Sequence, residues 1–86
     1  MARQTFDFKV ITPSGTVLSR KPEIVVLPGA EGDFALMHGH VPMIAKLKSG
    51  KALILHDRQK ESIVIASGFV MMRQDQAIVF TREMNL

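Results

Sequence analysis

Cysteine, tryptophan and tyrosine are all absent from this 86-residue sequence. Without cysteine, the chain forms no disulfide, thiolate zinc site or iron–sulfur centre, and it has no thiol nucleophile. Without tryptophan and tyrosine, it lacks the side chains on which nucleic-acid bases most often stack, and its phenylalanines are expected in the core. These absences exclude several classes of redox and metal protein and argue against nucleic-acid binding.

Long apolar runs are also missing. The longest are about five residues, whereas a membrane-spanning helix needs about 20. No apolar signal core follows residues 1–5, so we expect neither a secretory signal nor direct insertion into a membrane. Hydrophobic residues make up 47% and charged residues 22% of the sequence, which is typical of a globular protein. The length predicts a single domain, residues 1–86.

The formal net charge of +3 is spread along the chain. Arg20 and Lys21 form the one adjacent basic pair, and Lys46, Lys48 and Lys51 surround one predicted turn. A nucleic-acid site instead concentrates basic side chains on one surface. We interpret the charge as a solvated surface and expect no nucleic-acid partner.

Turn-forming residues recur at intervals of roughly 8 to 12 residues, as in proteins built from short strands. No segment shows the 3.6-residue period of a helix. The segments between the turns are rich in apolar and β-branched residues and comprise 5–11, 16–19, 23–27, 33–37, 43–47, 51–56, 61–66, 69–73 and 77–81. The pattern predicts an all-β fold, either a sandwich or a barrel.

The first segment alternates between apolar and polar residues. Phe6, Phe8 and Val10 share one face, and Asp7 and Lys9 share the other. Because successive side chains of a strand point to opposite faces, this strand is expected to be buried on one face only.

Three later segments, 52–55, 63–66 and 69–72, are apolar on both faces. In a small sandwich one face of each strand fills the core, and no third layer covers the other. Scattered apolar side chains are ordinary on a surface, but three such strands together form a larger patch than a monomer usually exposes. We favour a partner-binding surface; Met71 and Met72 suit such an interface or fill gaps in the core.

Three histidines are the candidate metal ligands. His38 and His40 point the same way if their segment is a strand, and with His56 they form a possible ligand set. The alternative interpretation of the protein is therefore a small cupin-like metal-binding β-barrel. Gly39 favours a turn instead, in which the histidines are loop residues and no metal is bound.

No catalytic constellation is recognised. The carboxylates of Glu31-Gly32-Asp33 lie at the tip of a turn, which provides no cleft for acid–base chemistry. Ser67-Gly68 lacks the helix that follows a nucleophile elbow, and residues 28–32 lack the Lys-Ser/Thr ending of a phosphate-binding loop. We predict a non-catalytic chain without a cofactor.

Three stretches, in order, resemble the amino-terminal domain of the epsilon subunit of rotary proton-translocating ATP synthases: FDFKVITPSGTVLS, VVLPGAEGDFALMHGHVPMIAKLKSG and IASGFVMMRQDQAIVF. The most specific element is the acidic-Gly-acidic turn at 31–33, followed by an apolar strand, Gly39-His40, Pro42 and the Lys-x-Gly turn at 48–50. The resemblance covers nearly the whole chain. It implies a flattened sandwich of about ten short strands.

The resemblance also implies a role as a rotor subunit. In that family the domain lies at the foot of the central stalk, holds the gamma subunit, rests on the membrane proton ring and reaches the catalytic sector indirectly. This implies a peripheral location on the cytoplasmic side of the bacterial inner membrane. Members commonly continue into two carboxy-terminal helices that can block rotation. The sequence ends at Leu86, and it is expected to couple ring and stalk without that block.

The family's motifs imply two contact surfaces. The ring contact is expected at Glu31, Gly32, Asp33, His40 and Pro42. Carboxylates at this position would complement the basic polar loops of such rings. The gamma contact is expected on one face of the strands that are apolar on both sides, at Ile54, Val64, Val70 and Met72.

Overall fold

The computed structural model describes residues 4–86. Over this range the chain forms ten β-strands, which confirms the predicted all-β fold. The strands are β1 (Asp7–Thr12), β2 (Gly15–Arg20), β3 (Ile24–Gly29), β4 (Gly32–Met37), β5 (Met43–Leu47), β6 (Gly50–His56), β7 (Gln59–Ile65), β8 (Gly68–Arg73), β9 (Gln76–Thr81) and β10 (Met84–Asn85). The two-residue strand β10 is the one that the sequence pattern does not predict. None of the residues from 4 to 86 belongs to a helix suited to crossing a membrane.

Hydrogen bonds connect the strands in the order β10-β7-β6-β3-β5-β8-β9-β1-β2, with β4 on the other edge of β3. Strand β3 is the corner, because residues 24–26 pair with β6 whereas Gly29 pairs with Leu47 of β5. Two layers result. We call them the β6 layer (β4, β3, β6, β7 and β10) and the β8 layer (β5, β8, β9, β1 and β2).

The hydrophobic core lies between the two layers. In β1, Phe8 and Val10 are fully buried, while Asp7 and Lys9 are only partly so, which confirms the predicted alternation. The other large buried side chains come from both layers: Val25, Leu27, Leu36, Ile63, Ile65, Val70, Met72 and Val79. Each layer therefore packs one face against the core, and its other face lies on the outside of the sandwich.

Strand directions divide the turns between two ends of the sandwich. The turn between β3 and β4 carries Glu31 and lies at what we call the acidic end, together with the turns after β1, β5, β7 and β9. The opposite end carries the loop from β4 to β5, which contains His38 and His40. At this end, the start of β1 is linked to the turn before β9 by a backbone hydrogen bond from the Asp7 amide to the Asp75 carbonyl, at 2.8 Å.

Close packing near Gly68 holds β8 and β9 together at the acidic end. A methyl group at Gly68 would overlap the carbonyl oxygen of Phe80 on the paired strand, so this position requires glycine. Next to it, the buried hydroxyl of Thr81 donates to the carbonyl oxygen of Ala66 at 2.9 Å. The Ala66 amide in turn donates to the Glu83 carbonyl at 3.1 Å. These bonds connect the end of β9 to the end of β7.

Candidate docking surfaces

The outer face of the β8 layer is apolar over four adjacent strands. Met71 lies between Ile44 and Ile78 in register, and Phe69 lies opposite Phe80. Parallel pairing of β9 with β1 extends the second row to Ile11. We call these six side chains the apolar face: Ile11, Ile44, Phe69, Met71, Ile78 and Phe80.

Exposure and aromatic packing distinguish the apolar face from an ordinary surface. Ile44 is 72% exposed and Phe69 is 46% exposed. The rings of Phe69 and Phe80 stack with their centroids 5.2 Å apart. A contiguous apolar cluster on the surface of a small domain is typical of a protein–protein contact.

The outer face of the β6 layer is more mixed. Leu53 lies between Val26 and Ser62 in register, and Leu55 lies opposite Lys60. Val64 is 48% exposed, but Lys51 is its cross-strand neighbour. These rows continue across β3 to Ala35 and Met37 on β4 and end in polar side chains on β7.

Three of the four residues predicted to contact gamma belong to the core. Ile54 is 3% exposed, Val70 is fully buried and Met72 is 1% exposed, so their side chains are not available to a partner. Val64 alone is exposed. The predicted positions of Ile54, Val70 and Met72 are wrong, because both faces of these strands are apolar and the sequence pattern does not say which one faces inward.

The sequence pattern does indicate part of the apolar face. Residues 77–80 are apolar on both faces of β9, as residues 69–72 are on β8. A strand that is apolar on both faces is a candidate for partner binding, so the pattern of β9 indicates Ile78 and Phe80. Ile44 gives no such signal, because Lys46 shares its face of β5.

The acidic turn is a tight hairpin at the tip of β3 and β4. Gly29 pairs with Gly32 across the turn, and Gly32 adopts a φ of 134°, which strongly favours glycine. Glu31 and Asp33 are both exposed on either side of it. A shallow hollow beside the turn is lined by the Phe34 ring and the side chain of Lys46, among others.

The structure does not bring His40 and Pro42 to this turn. Strand β4 runs its full six residues from Gly32 to Met37 before the loop that carries them begins. At about 3.3 Å per residue, this places them about 20 Å from the acidic turn, at the other end of the sandwich. The prediction that all five residues form one contact surface is therefore wrong for His40 and Pro42.

The histidines do not form a ligand set. His38 Nε2 lies 3.0 Å from Asp75 Oδ1, and His40 Nδ1 lies 2.9 Å from the backbone oxygen of Val41. His56 ends β6 and lines a separate hollow with Arg20 and Glu61. Over residues 4–86, no three acidic or histidine side chains are grouped as a metal site requires. The cupin-like alternative has no support.

Comparison with known proteins gives a family. Residues 5–85 match the family described as "ATP synthase, Delta/Epsilon chain, beta-sandwich domain". The chain is 36% identical to the ATP synthase epsilon chain of Chlorobaculum tepidum over 83 residues, covering 95% of this chain and 94% of that one. It is 30% identical to the Bacillus subtilis epsilon chain over 79 residues, covering 92% and 60% respectively. The chain thus spans nearly the full length of some relatives and a little over half of others.

Solved structures share the fold at low sequence identity. A chain of the Euglena gracilis mitochondrial ATP synthase, in a structure containing OSCP, F1 and the c-ring, superposes with a TM-score of 0.85 at 17% identity, covering 98% of this chain and 54% of that one. A chain from the central stalk and c-ring structure of the Tetrahymena thermophila enzyme gives 0.77 at 11% identity, covering 98% and 68%. Sequence match and fold agree, and the chain belongs to the ATP synthase delta/epsilon family through its β-sandwich domain.

Proposed function

We propose that the chain is a non-catalytic rotor subunit that couples the membrane proton ring of an ATP synthase to the gamma subunit. The observation that carries the proposal is the apolar face, where the exposed side chain of Ile44 and the stacked rings of Phe69 and Phe80 lie on adjacent strands. Membership of the ATP synthase delta/epsilon family supports an ATP synthase as the complex in which this surface is used. The complex acts at the membrane, so the chain works peripherally on the cytoplasmic side of the bacterial inner membrane.

The apolar face is the proposed gamma contact. It presents aromatic and large aliphatic side chains, which supply most of the binding energy in protein interfaces. The outer face of the β6 layer is less suitable, because it has no counterpart of the stacked Phe69–Phe80 pair and its β7 side carries Lys60 and Ser62. This assignment replaces Val70 and Met72 with their outward-facing neighbours Phe69 and Met71, and it leaves out Ile54, which is buried in the other layer.

The acidic turn is the proposed ring contact, now limited to Glu31, Gly32 and Asp33. It lies at the tip of the sandwich, whereas the apolar face runs along the side. One domain can therefore contact gamma laterally and the ring at its end without the two contacts overlapping. Exposed carboxylates at that tip complement the basic polar loops expected on the ring.

Binding to purified gamma tests the proposal. Replacing Phe69 with serine removes the most exposed aromatic ring of the apolar face, and we expect a loss of affinity of at least about tenfold, as for a typical aromatic hot spot. The matched control is Val64→Ser, which removes a similarly exposed apolar side chain from the β6 layer. Equal affinity for Phe69→Ser and the parent chain, measured by calorimetry, would contradict the assignment of this face.

A further inference from the structure

The apolar face is bordered by four basic side chains. Lys46 lies opposite Phe69 in register, and Lys9 lies opposite Ile78. Arg73 follows Met71 by two residues on β8 and therefore shares its outward direction. Arg82 follows β9 and lines a hollow with Phe80. We call Lys9, Lys46, Arg73 and Arg82 the basic border.

Within residues 4–86, no acidic side chain forms an ion pair with the border. The ion pairs formed within residues 4–86 join Arg20 to Glu61, Lys21 to Asp7 and His38 to Asp75, and none includes a border residue. Asp7 lies two residues before Lys9 on β1, and Lys21 engages it at 2.9 Å. Glu31 lines the same hollow as Lys46, but the two do not form an ion pair. Glu83 adjoins Arg82 in sequence, and its backbone oxygen is bonded to the Ala66 amide. The border thus leaves unmatched positive charge around an apolar centre.

We infer that the partner covering this face has an apolar centre bordered by carboxylates. The inference rests on the proposed function, in which that partner is gamma, and it adds the partner's charge pattern. A basic partner would place like charges against the border, and such repulsion disfavours association. Charges at an interface rim mainly accelerate encounter and fix orientation, so the border is expected to control association rate more than final affinity.

The register gives the spacing of the complementary charges. Lys46 on β5 and Lys9 on β1 are separated by three inter-strand spacings. Lys46 is in register with Ile11, so Lys9 is displaced by two residues along β1. With about 4.8 Å between strands and about 3.3 Å per residue, their backbones are about 16 Å apart. An α-helix rises about 5.4 Å per turn, so carboxylates three turns apart on one helix would match this diagonal. Apolar residues between them would cover Phe69 and Ile78, which lie nearest to this diagonal.

Charge reversal of the border tests the inference. The variant combines Lys9→Glu, Lys46→Glu and Arg73→Glu. The matched control combines Lys51→Glu, Arg58→Glu and Lys60→Glu, which changes the net charge equally on β6, β7 and the turn between them. Association of each chain with purified gamma is followed by stopped-flow fluorescence at several salt concentrations. A second border variant with glutamine at the three positions serves if the reversed chain unfolds.

We expect the border variant to associate at least about tenfold more slowly than the control at low salt, with the difference shrinking as salt screens the charges. Equal rates and equal salt dependence for border and control variants would overturn the inference. Faster association of the border variant would also overturn it, since the partner would then be basic. If the border variant associates like the control while Phe69→Ser loses affinity, the charge pattern alone is rejected. If the border variant associates like the control and Phe69→Ser also binds like the parent chain, the proposed gamma face is rejected as well.

Discussion

Arg20 and Glu61 join the two layers of the sandwich across its open side. Arg20 Nε donates to Glu61 Oε1 at 2.9 Å, and one terminal guanidinium nitrogen donates to Oε2 at 3.1 Å. The two residues are 41 positions apart and lie on β2 and β7, which do not pair. The hydrogen bond that Arg20 donates to Glu61 raises the pKa of Arg20, so the guanidinium remains charged. This contact ties the edge strand β2 to the opposite layer.

Removing the charge at this contact is expected to cost little stability. Glu61→Gln should lower the free energy of unfolding by about 0.5 to 1 kcal/mol, because both side chains are partly exposed and solvent screens the pair. The raised pKa of Arg20 means that its contribution is complete below the ordinary arginine pKa and is lost only as the pH rises through the higher folded-state value. Urea unfolding near pH 7 measures the cost.

The control for this prediction is Asp7→Asn. It breaks the more exposed Lys21–Asp7 pair, and we expect a smaller effect than for Glu61→Gln. A loss of several kcal/mol for Glu61→Gln would mean that the contact carries far more of the fold than an exposed ion pair should.

Substitution of Gly68 tests the close approach of β8 to β9. Gly68→Ala should destabilise the fold by about 1 to 3 kcal/mol, since the new methyl group overlaps the Phe80 carbonyl and forces the strands apart. Ser67→Ala is the control, because Ser67 is exposed and its contact with the Thr81 hydroxyl uses the backbone oxygen. Thermal unfolding of both variants gives the comparison. Equal stability of the two would show that β8 does not approach Phe80 so closely.

The acidic turn predicts a salt-dependent contact with the membrane ring. Asp33→Lys should weaken reassembly with ring-containing membranes at low salt, and the defect should diminish as salt screens the repulsion. The fold should be retained, because Asp33 is exposed at the turn. Asp57→Lys, an exposed change in a turn at the other end, is the control. Reassembly of Asp33→Lys at the parent level in low salt is the result that would rule out this contact.

The strands could be predicted because local chemistry determines them. Turn residues punctuate the sequence at short intervals, and alternation in 6–10 fixes the buried face of β1. Strand β10 has only two residues, too few for a periodic pattern, and it pairs with Ile65 and Val64 through tertiary contact.

The docking residues depended on information that local sequence does not contain. In 69–72 both faces are apolar, so only pairing with β5 and β9 decides that Val70 and Met72 point inward and Phe69 and Met71 point outward. His40 follows the acidic turn closely in sequence, yet the extended conformation of β4 carries it to the opposite end. Sequence proximity indicates spatial proximity only where the chain turns back.

Mapping gamma onto this chain by nuclear magnetic resonance tests the central claim most directly. Unlabelled gamma is added to the nitrogen-15-labelled chain, and changes in each backbone amide signal are assigned to strands. The account predicts that the largest changes fall on β5, β8 and β9, around Ile44, Phe69 and Phe80. Changes centred instead on β3, β6 and β7, around Val26, Leu53 and Val64, would contradict it.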